Sequence, residues 1–311
     1  MNAALLLLGY GCGLAWLAPR LLRRVTGIGA HPRLALASWL TAVVAALGAW
    51  FGALAVLGAA AAQSMWRHGE LTLCLKVLGV SGALGLPRAA ASALAVCLWV
   101  AGVVVTAVAG WRIGRQVRRQ RARSRLHAST ARVVGVPGDR PGVVVVAAPQ
   151  PAAYCVADRP QSIVVVTTAA LGRLDEVQLA AVLAHENAHL AGRHHDVLMV
   201  LRAIAASLPR WALFAAAAEA AARLLEMCAD DTAVRLHGKM PVLRGLLALS
   251  GDSPAMASAA LGASGTATLA RAARLAIPAP RRTRWRERVT LCAAICFASI
   301  TPAVVALACQ L

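Results

Sequence analysis

Acidic residues are scarce in this sequence, with 13 Asp and Glu among 311 residues against 32 Lys and Arg, a formal net charge of +19 at pH 7. Only Lys76 and Lys239 among those bases are lysine. Charged residues of both signs make up 14% of the chain and hydrophobic residues 59%, with a mean hydropathy of +0.65. That excludes an ordinary soluble domain, in which about a quarter of the residues are charged. Aromatic residues are also few, at 4%. No binding fold and no interleaving of aromatic with basic residues is present, so the positive charge does not indicate nucleic acid. The 8 cysteines form no CxxC pair and no readable disulfide framework. Cys12, Cys97, Cys292 and Cys296 fall in apolar runs and are expected to be small core residues. No positive charge precedes the first apolar run, as it would in a secretory signal.

The apolar runs and the arginines together imply a membrane protein. Residues 2–18, 34–62 and 89–110 predict three membrane helices, and a fourth is expected within 281–311. Arginines follow the first run at Arg20, Arg23 and Arg24, follow the third at positions 112–125, and precede the fourth at 281–288. Positive flanks mark the cytoplasmic side, so both termini are expected outside and residues 131–280 in the cytoplasm. Residues 63–88 are expected as an outer loop. Gly9/Gly13 and Gly48/Gly52 have the G-x-x-x-G spacing that allows close helix packing, or arise by coincidence in Gly/Ala-rich helices. Interaction with the bilayer and its anionic head groups follows, and homo-oligomerisation is left open.

Between 131 and 280 the pattern changes. ARVVGV, GVVVVAA and SIVVVTT are short β-branched runs that predict a small sheet. Asp175 opens the next helix as its cap, with Gln178 three residues on. Residues 197–222 are apolar but interrupted by Arg202, Pro209, Arg210 and Glu219, which predicts a helical hairpin on the protein core or in the membrane interface rather than a span. The fold class expected is a multi-span α-helical membrane protein with a cytoplasmic α+β domain. Its divisions are residues 1–130, 131–280 and 281–311.

The chemistry centres on His185-Glu186-Asn187-Ala188-His189. Histidines at i and i+4 share a helical face and can reach one metal ion, and Glu186 is placed to take a proton from water there. A tetrahedral catalytic zinc needs a third protein ligand. His195 would complete an HExxHxxGxxH string through Gly192. Glu226, in Glu226-Met227-Cys228-Ala229-Asp230-Asp231, is the preferred choice, because eight of the 13 acidic residues lie between Asp175 and Asp231. Acids on an otherwise apolar helix are costly unless used or exposed. Asp230, one turn after Glu226, could orient a ligand histidine through its free ring N–H. Arg235 and His237 are candidate oxyanion donors, the strand SIVVVTT a candidate edge for an extended substrate, and Cys228 a buried structural thiol.

HENAHL, GRHHD and EMCADD, in that order and with AYCV and SIVVVTTAAL before them, resemble the integral-membrane gluzincins. The similarity is to the BlaR/MecR type and, more distantly, to the HtpX and prenyl-protein (CAAX) proteases. The resemblance implies a zinc endopeptidase with His185, His189 and Glu226 as ligands, Glu186 as general base and Asp230 beside the ligands. It also implies a cytoplasmic or membrane-face protein substrate, such as a winged-helix repressor. The extracellular penicillin-binding domain of the sensor-transducers has no counterpart here, so β-lactam sensing is not implied. Quality control of membrane proteins and a non-catalytic signalling role are the alternatives.

Overall fold

The structure is a computed structural model that describes residues 3–66, 88–158, 161–250 and 263–308. Helices α1 (Ala3–Thr26), α2 (Pro32–Trp66) and α3 (Arg88–Val134) come first. Strands β1 (Val136–Pro137), β2 (Val143–Val146), β3 (Ala153–Val156) and β4 (Ile163–Thr167) follow, then helices α4 (Thr168–Arg173), α5 (Glu176–Ala191), α6 (His194–Ser207), α7 (Ala212–His237), α8 (Lys239–Ser250), α9 (Ala263–Ala276) and α10 (Arg281–Ala308). Among the described residues, three helices are long and apolar enough to cross a membrane, over Ala3–Thr26, Pro32–Ala59 and Val96–Val134. The fourth expected crossing falls on α10, which is not one of the three. The expected outer loop is replaced up to Trp66 by α2, and residues 67–87 lie outside the described ones.

The arginine-rich stretch after the third apolar run is not a separate flank. It is the continuation of α3, a single helix of 47 residues, about 70 Å long at 1.5 Å per residue. The expected boundary at residues 130 and 131 therefore falls inside a helix. ARVVGV, read as a strand, supplies the last turn of α3 and only the two-residue β1. Its β-branched residues were overridden by packing: Ala128 and Ala131 of α3 lie against Val144, Val156, Ile163 and Val165 of the sheet.

The sheet has the order β1-β2-β4-β3, with β2 and β4 parallel and the outer pairs antiparallel. All five residues of β4 are buried, because both its faces are covered. Val164 and Val166 pack with Val182 and Leu183 of α5, while Ile163 and Val165 face α3. A continuous apolar run suits a strand covered on both faces. The strand edge is then β3, not SIVVVTT. Thr167 N–H donates to Ala152 C=O at 2.9 Å, so by the antiparallel alternation the peptide groups of Ala153 and Cys155 point outward, toward α5.

Helices α6 and α7 are the expected hairpin, broken at Leu208–Trp211 around Pro209. The first half of α7 is buried on most sides: Leu213, Phe214, Ala217, Ala221 and Leu224 pack with Ala15, Leu22, Trp39 and Val43 of the first two helices. The close approach of α1 to α2 is at Gly11, where an added Cβ would lie 3.5 Å from Ala49 Cβ. Of the two G-x-x-x-G pairs, only Gly52 has a neighbour within 4 Å, Leu7. Cys12, Cys97, Cys292 and Cys296 are exposed on the protein surface rather than in a core; small apolar side chains suit a lipid-facing surface equally.

The α1–α2 loop ties these helices to the rest. Glu287 of α10, only 4% exposed, accepts from the N–H groups of Ala30 and His31 at 3.1 and 3.3 Å. Gly29 has φ +65°, and a Cβ there would strike Met227 Sδ at 2.6 Å. Its carbonyl accepts from Arg274 Nε at 2.9 Å, and Arg274 Nη2 also donates to Asp231 at 2.6 Å. Arg274 thus fixes α9 against α7 and the loop between the first two helices.

Candidate metal centre

Helix α5 begins as its sequence dictates. Asp175 caps it, its Oδ1 accepting from Gln178 N–H at 2.7 Å. Val182 and Leu183 seat it on the sheet, which leaves His185, Glu186 and His189 toward α7 and β3. The two imidazoles converge, with Nε2 to Nε2 at 3.1 Å. Glu226, arriving on α7, closes a triangle: its Oε2 lies 3.5 Å from His185 Nε2 and its Oε1 3.4 Å from His189 Nε2. The donor atoms of His185, His189 and Glu226 all lie within 4.8 Å of one another, forming a group able to hold a metal ion among the described residues. Tetrahedral zinc with bonds of about 2.05 Å needs ligand atoms about 3.3 Å apart, so these three sides fit that ion.

Each ring is oriented through its other nitrogen, as metal-binding histidines require. His185 Nδ1 is 3.1 Å from Asp230 Oδ1, and Asp230 is fully buried. His189 Nδ1 is 2.9 Å from His194 Nδ1. Burial disfavours charge on both rings. On His185 hydrogen bonds to Asp230 and Glu226 outweigh it and raise the pKa to about 9. On His189 burial prevails over Glu226, helped by the neighbouring histidines, and lowers the pKa to about 4. Asp230 is held below the usual carboxylate range because its bonds to Arg271 and His185 outweigh its burial.

Arg271 escaped the sequence reading. It comes from α9 with its side chain only 14% exposed. Nη1 pairs with Glu226 Oε2 at 2.9 Å, Nη2 with Asp230 Oδ1 at 2.6 Å, and Nε donates to Asp230 Oδ2 at 2.9 Å. Nη2 also lies 3.5 Å from His185 Nε2. One guanidinium therefore fixes two carboxylates of α7, Glu226 and Asp230. The only sequence signal was indirect: an Asp facing a histidine still has a second oxygen to satisfy.

Glu186 points into a cavity of about 220 Å³ that His185, Glu226, Ala153 and Arg271 also line. Its Oε2 accepts from Cys155 N–H at 2.9 Å, one of the outward groups of β3. Burial raises its pKa, with His185 and the Cys155 hydrogen bond opposing. A carboxylate shifted this way suits proton transfer near neutral pH. Burial and the Glu186 charge push the Cys155 thiol far upward, and burial takes Cys228 to about 11, so neither is a thiolate nucleophile at neutral pH.

The structure does not bring Arg235 or His237 to this group. Arg235 is nine residues beyond Glu226, about 13.5 Å along the helix, and donates to Thr232 Oγ1 at 3.0 Å. His237 lines a different hollow with Arg140 and Leu236. His195 stacks on His189, ring centroids 6.3 Å apart, but is not one of the metal-capable group, and its Nε2 lies 3.1 Å from the Cys155 carbonyl oxygen. At Gly192 a Cβ would meet the His194 ring at 2.4 Å. The glycine gives His194 room to reach His189.

The model of Peptidase family M48 matches residues 117–272, half of the chain. The chain belongs to peptidase family M48. The match begins within α3 and ends one residue past Arg271, so it takes in the sheet, all three donors of the metal triangle and the arginine that fixes Glu226 and Asp230. A "Protease HtpX homolog" of Acidiphilium cryptum (strain JF-5) is 36% identical over 143 residues, 42% of this chain and 48% of that protein. The chain spans about half the length of that relative. No solved structure matches. In this M48 chain the matched region holds the three side chains able to bind a metal ion, and three helices among the described residues are long and apolar enough to cross a membrane.

Proposed function

We propose that the protein is a zinc-dependent endopeptidase anchored in the cell membrane, with a zincin-like peptidase domain facing the cytoplasm, that cuts peptide bonds of a protein presented there. The observation that carries this is the triangle of His185, His189 and Glu226 with sides of 3.1–3.5 Å, beside the cavity-facing Glu186. One zinc ion would be held by these three, and when bound it supplies a polarised scissile carbonyl and water that ionises near neutral pH. Glu186 takes the proton from that water and passes it to the leaving amine nitrogen. Asp230 and His194 keep the two imidazoles in the ligating tautomer, and Arg271 keeps Glu226 and Asp230 charged and aimed. Arg271, which lines the cavity, is the candidate donor for charge developing on the carbonyl oxygen. Of the outward groups of β3, those of Cys155 are taken by Glu186 and His195, which leaves those of Ala153 to pair with an extended peptide.

The inward orientation is supported by the arginines at 20–24 and 112–125, which follow the first and third of the three apolar helices and so fall on one side of the membrane. Two substrate classes follow from the relatives. Similarity to an HtpX homologue supports quality control of membrane proteins; the BlaR/MecR-like order of motifs supports cleavage of a winged-helix repressor. The test is to express the full chain and its Glu186→Gln form in membranes with both classes of substrate. Fragments that depend on Glu186 establish the peptidase and tell which class it cuts. Intact substrates of both classes, with zinc bound, would contradict the reading.

A further inference from the structure

A second cavity, of about 480 Å³, opens where β3 ends, lined by Arg121 and Arg125 of α3, His195, Asp196 and Arg202 of α6, and Asp158. Resting on the peptidase reading above, we propose that it is a substrate subsite for a carboxylate, an acidic side chain or a free C-terminus, two to four residues from the bond that is cut.

Its position ties it to the catalytic group. His195, on its wall, has Nε2 3.1 Å from the Cys155 carbonyl oxygen, and the Cys155 N–H donates to Glu186 at 2.9 Å. A single residue of β3 thus separates the cavity from the general base. Ala157, also on the wall, is two residues beyond Cys155, about 7 Å at the rise of a strand. A peptide extended along β3 reaches the cavity two to four residues from Glu186.

Its charge sets the ligand. Three arginines face two aspartates. Asp158 is engaged by Arg132 at 3.1 Å, and Asp196 lies 3.8 Å from Arg121. Arg125 and Arg202 have no carboxylate partner among the described residues. Both are exposed and open to a ligand at the cavity mouth, and guanidinium matches carboxylate in shape as well as sign. Lipid head groups are poorly placed to supply the counter-charge. Arg121 is ten residues beyond Trp111, where the apolar part of α3 ends, about 15 Å along the helix, whereas the head-group layer is about 5–8 Å thick.

The experiment uses the full chain in detergent with zinc and matched quenched peptides. Each carries Glu or Lys at one position within four residues of the cut, and one set has a free or an amidated C-terminus. The expected result is a Glu-over-Lys ratio in kcat/KM of about 5–10 at one position, carried by KM and reduced at high salt, as for two exposed ion pairs. In Arg125→Glu/Arg202→Glu the ratio should invert, and in Arg125→Lys/Arg202→Lys it should persist. A preference for the free over the amidated end, with none for internal Glu, assigns the same subsite to a C-terminal carboxylate. A ratio equal in the wild type and the double reversal overturns the proposal. So does a reversal that alters only the response to vesicles containing anionic phospholipid, which would give the arginines to the membrane. Binding of the Glu and Lys peptides to the Glu186→Gln form is read by anisotropy, so the subsite stands or falls separately even if no peptide is hydrolysed.

Discussion

Helix α5 is held by its own cap and by the sheet, whereas α7 is held by the membrane helices. α5 starts at Asp175, seats Val182 and Leu183 on β4, and presents His185 and His189 one turn apart. Its two donors are brought together by helix geometry alone. α7 is buried over its first half among α1 and α2 and exposes function only from Glu226 onward. The register of Glu226 against the histidines is therefore set by packing on the first two helices together with direct packing of α7 on α5, as at Ala181 and Ala233. The comparison teaches that the site is divided: half is local to the peptidase fold, and half is delivered by the bundle, with α9 clamped between them through Arg271 and Arg274.

Changes on the local side should affect chemistry without affecting the bundle. Glu186→Gln should lower kcat by about 10²–10⁴-fold, the usual contribution of a positioned general base. Metal content and thermal transition should stay unchanged, because Glu186 is no ligand and an amide oxygen at that position can still accept from Cys155 N–H. Kinetics and metal analysis of the purified variant check this. A variant that loses metal would make Glu186 part of the metal triangle instead.

The clamp sharpens the comparison at a smaller size. Arg271→Ala and Asp230→Asn should each weaken zinc binding by about 10–100-fold, the range for groups that orient ligands. Zinc competition with a chelator reads this without any substrate. Equal affinity in both variants and the wild type would show that α7 positions Glu226 unaided.

On the bundle side, Leu224→Ala leaves a cavity at a fully buried position between α7 and the first two helices. It should cost about 2–5 kcal/mol, seen as a lower thermal transition, and zinc should be released at that same transition. Release of zinc well below it would mean that the two halves are uncoupled. The smallest effect is expected at Gly192→Ala, where the new Cβ displaces the His194 ring. His189 then loses the partner of its Nδ1, and zinc affinity should fall by about tenfold or less.

The same division explains what the sequence made legible. His185, Glu186 and His189 could be read because i, i+4 spacing is a local rule. Glu226 and Asp230 could be read from the cost of placing acids on an apolar helix. Arg271 could not: it is one of many arginines, in an Ala/Gly-rich helix forty residues further on, and only tertiary packing brings it to Asp230. His194 was hidden because its role depends on the turn at Arg193, which has φ 52°, and on the space left by Gly192. Within the sheet, GVVVVAA and SIVVVTT were legible as β-branched runs, but ARVVGV was claimed by α3 and the edge strand AYCV has only four residues. Arg235 and His237 failed because a shared helix is not a shared site when more than two turns intervene.

The account's central claim is a metal centre shared by two helices of different support, and metal analysis of three purified full-length variants tests it most directly. With His195→Ala and Glu186→Gln the protein should hold one zinc per chain, as the wild type does, and with Glu226→Ala it should hold none after dialysis. Full zinc in Glu226→Ala together with its loss in His195→Ala would contradict the account and move the third ligand from α7 to α6.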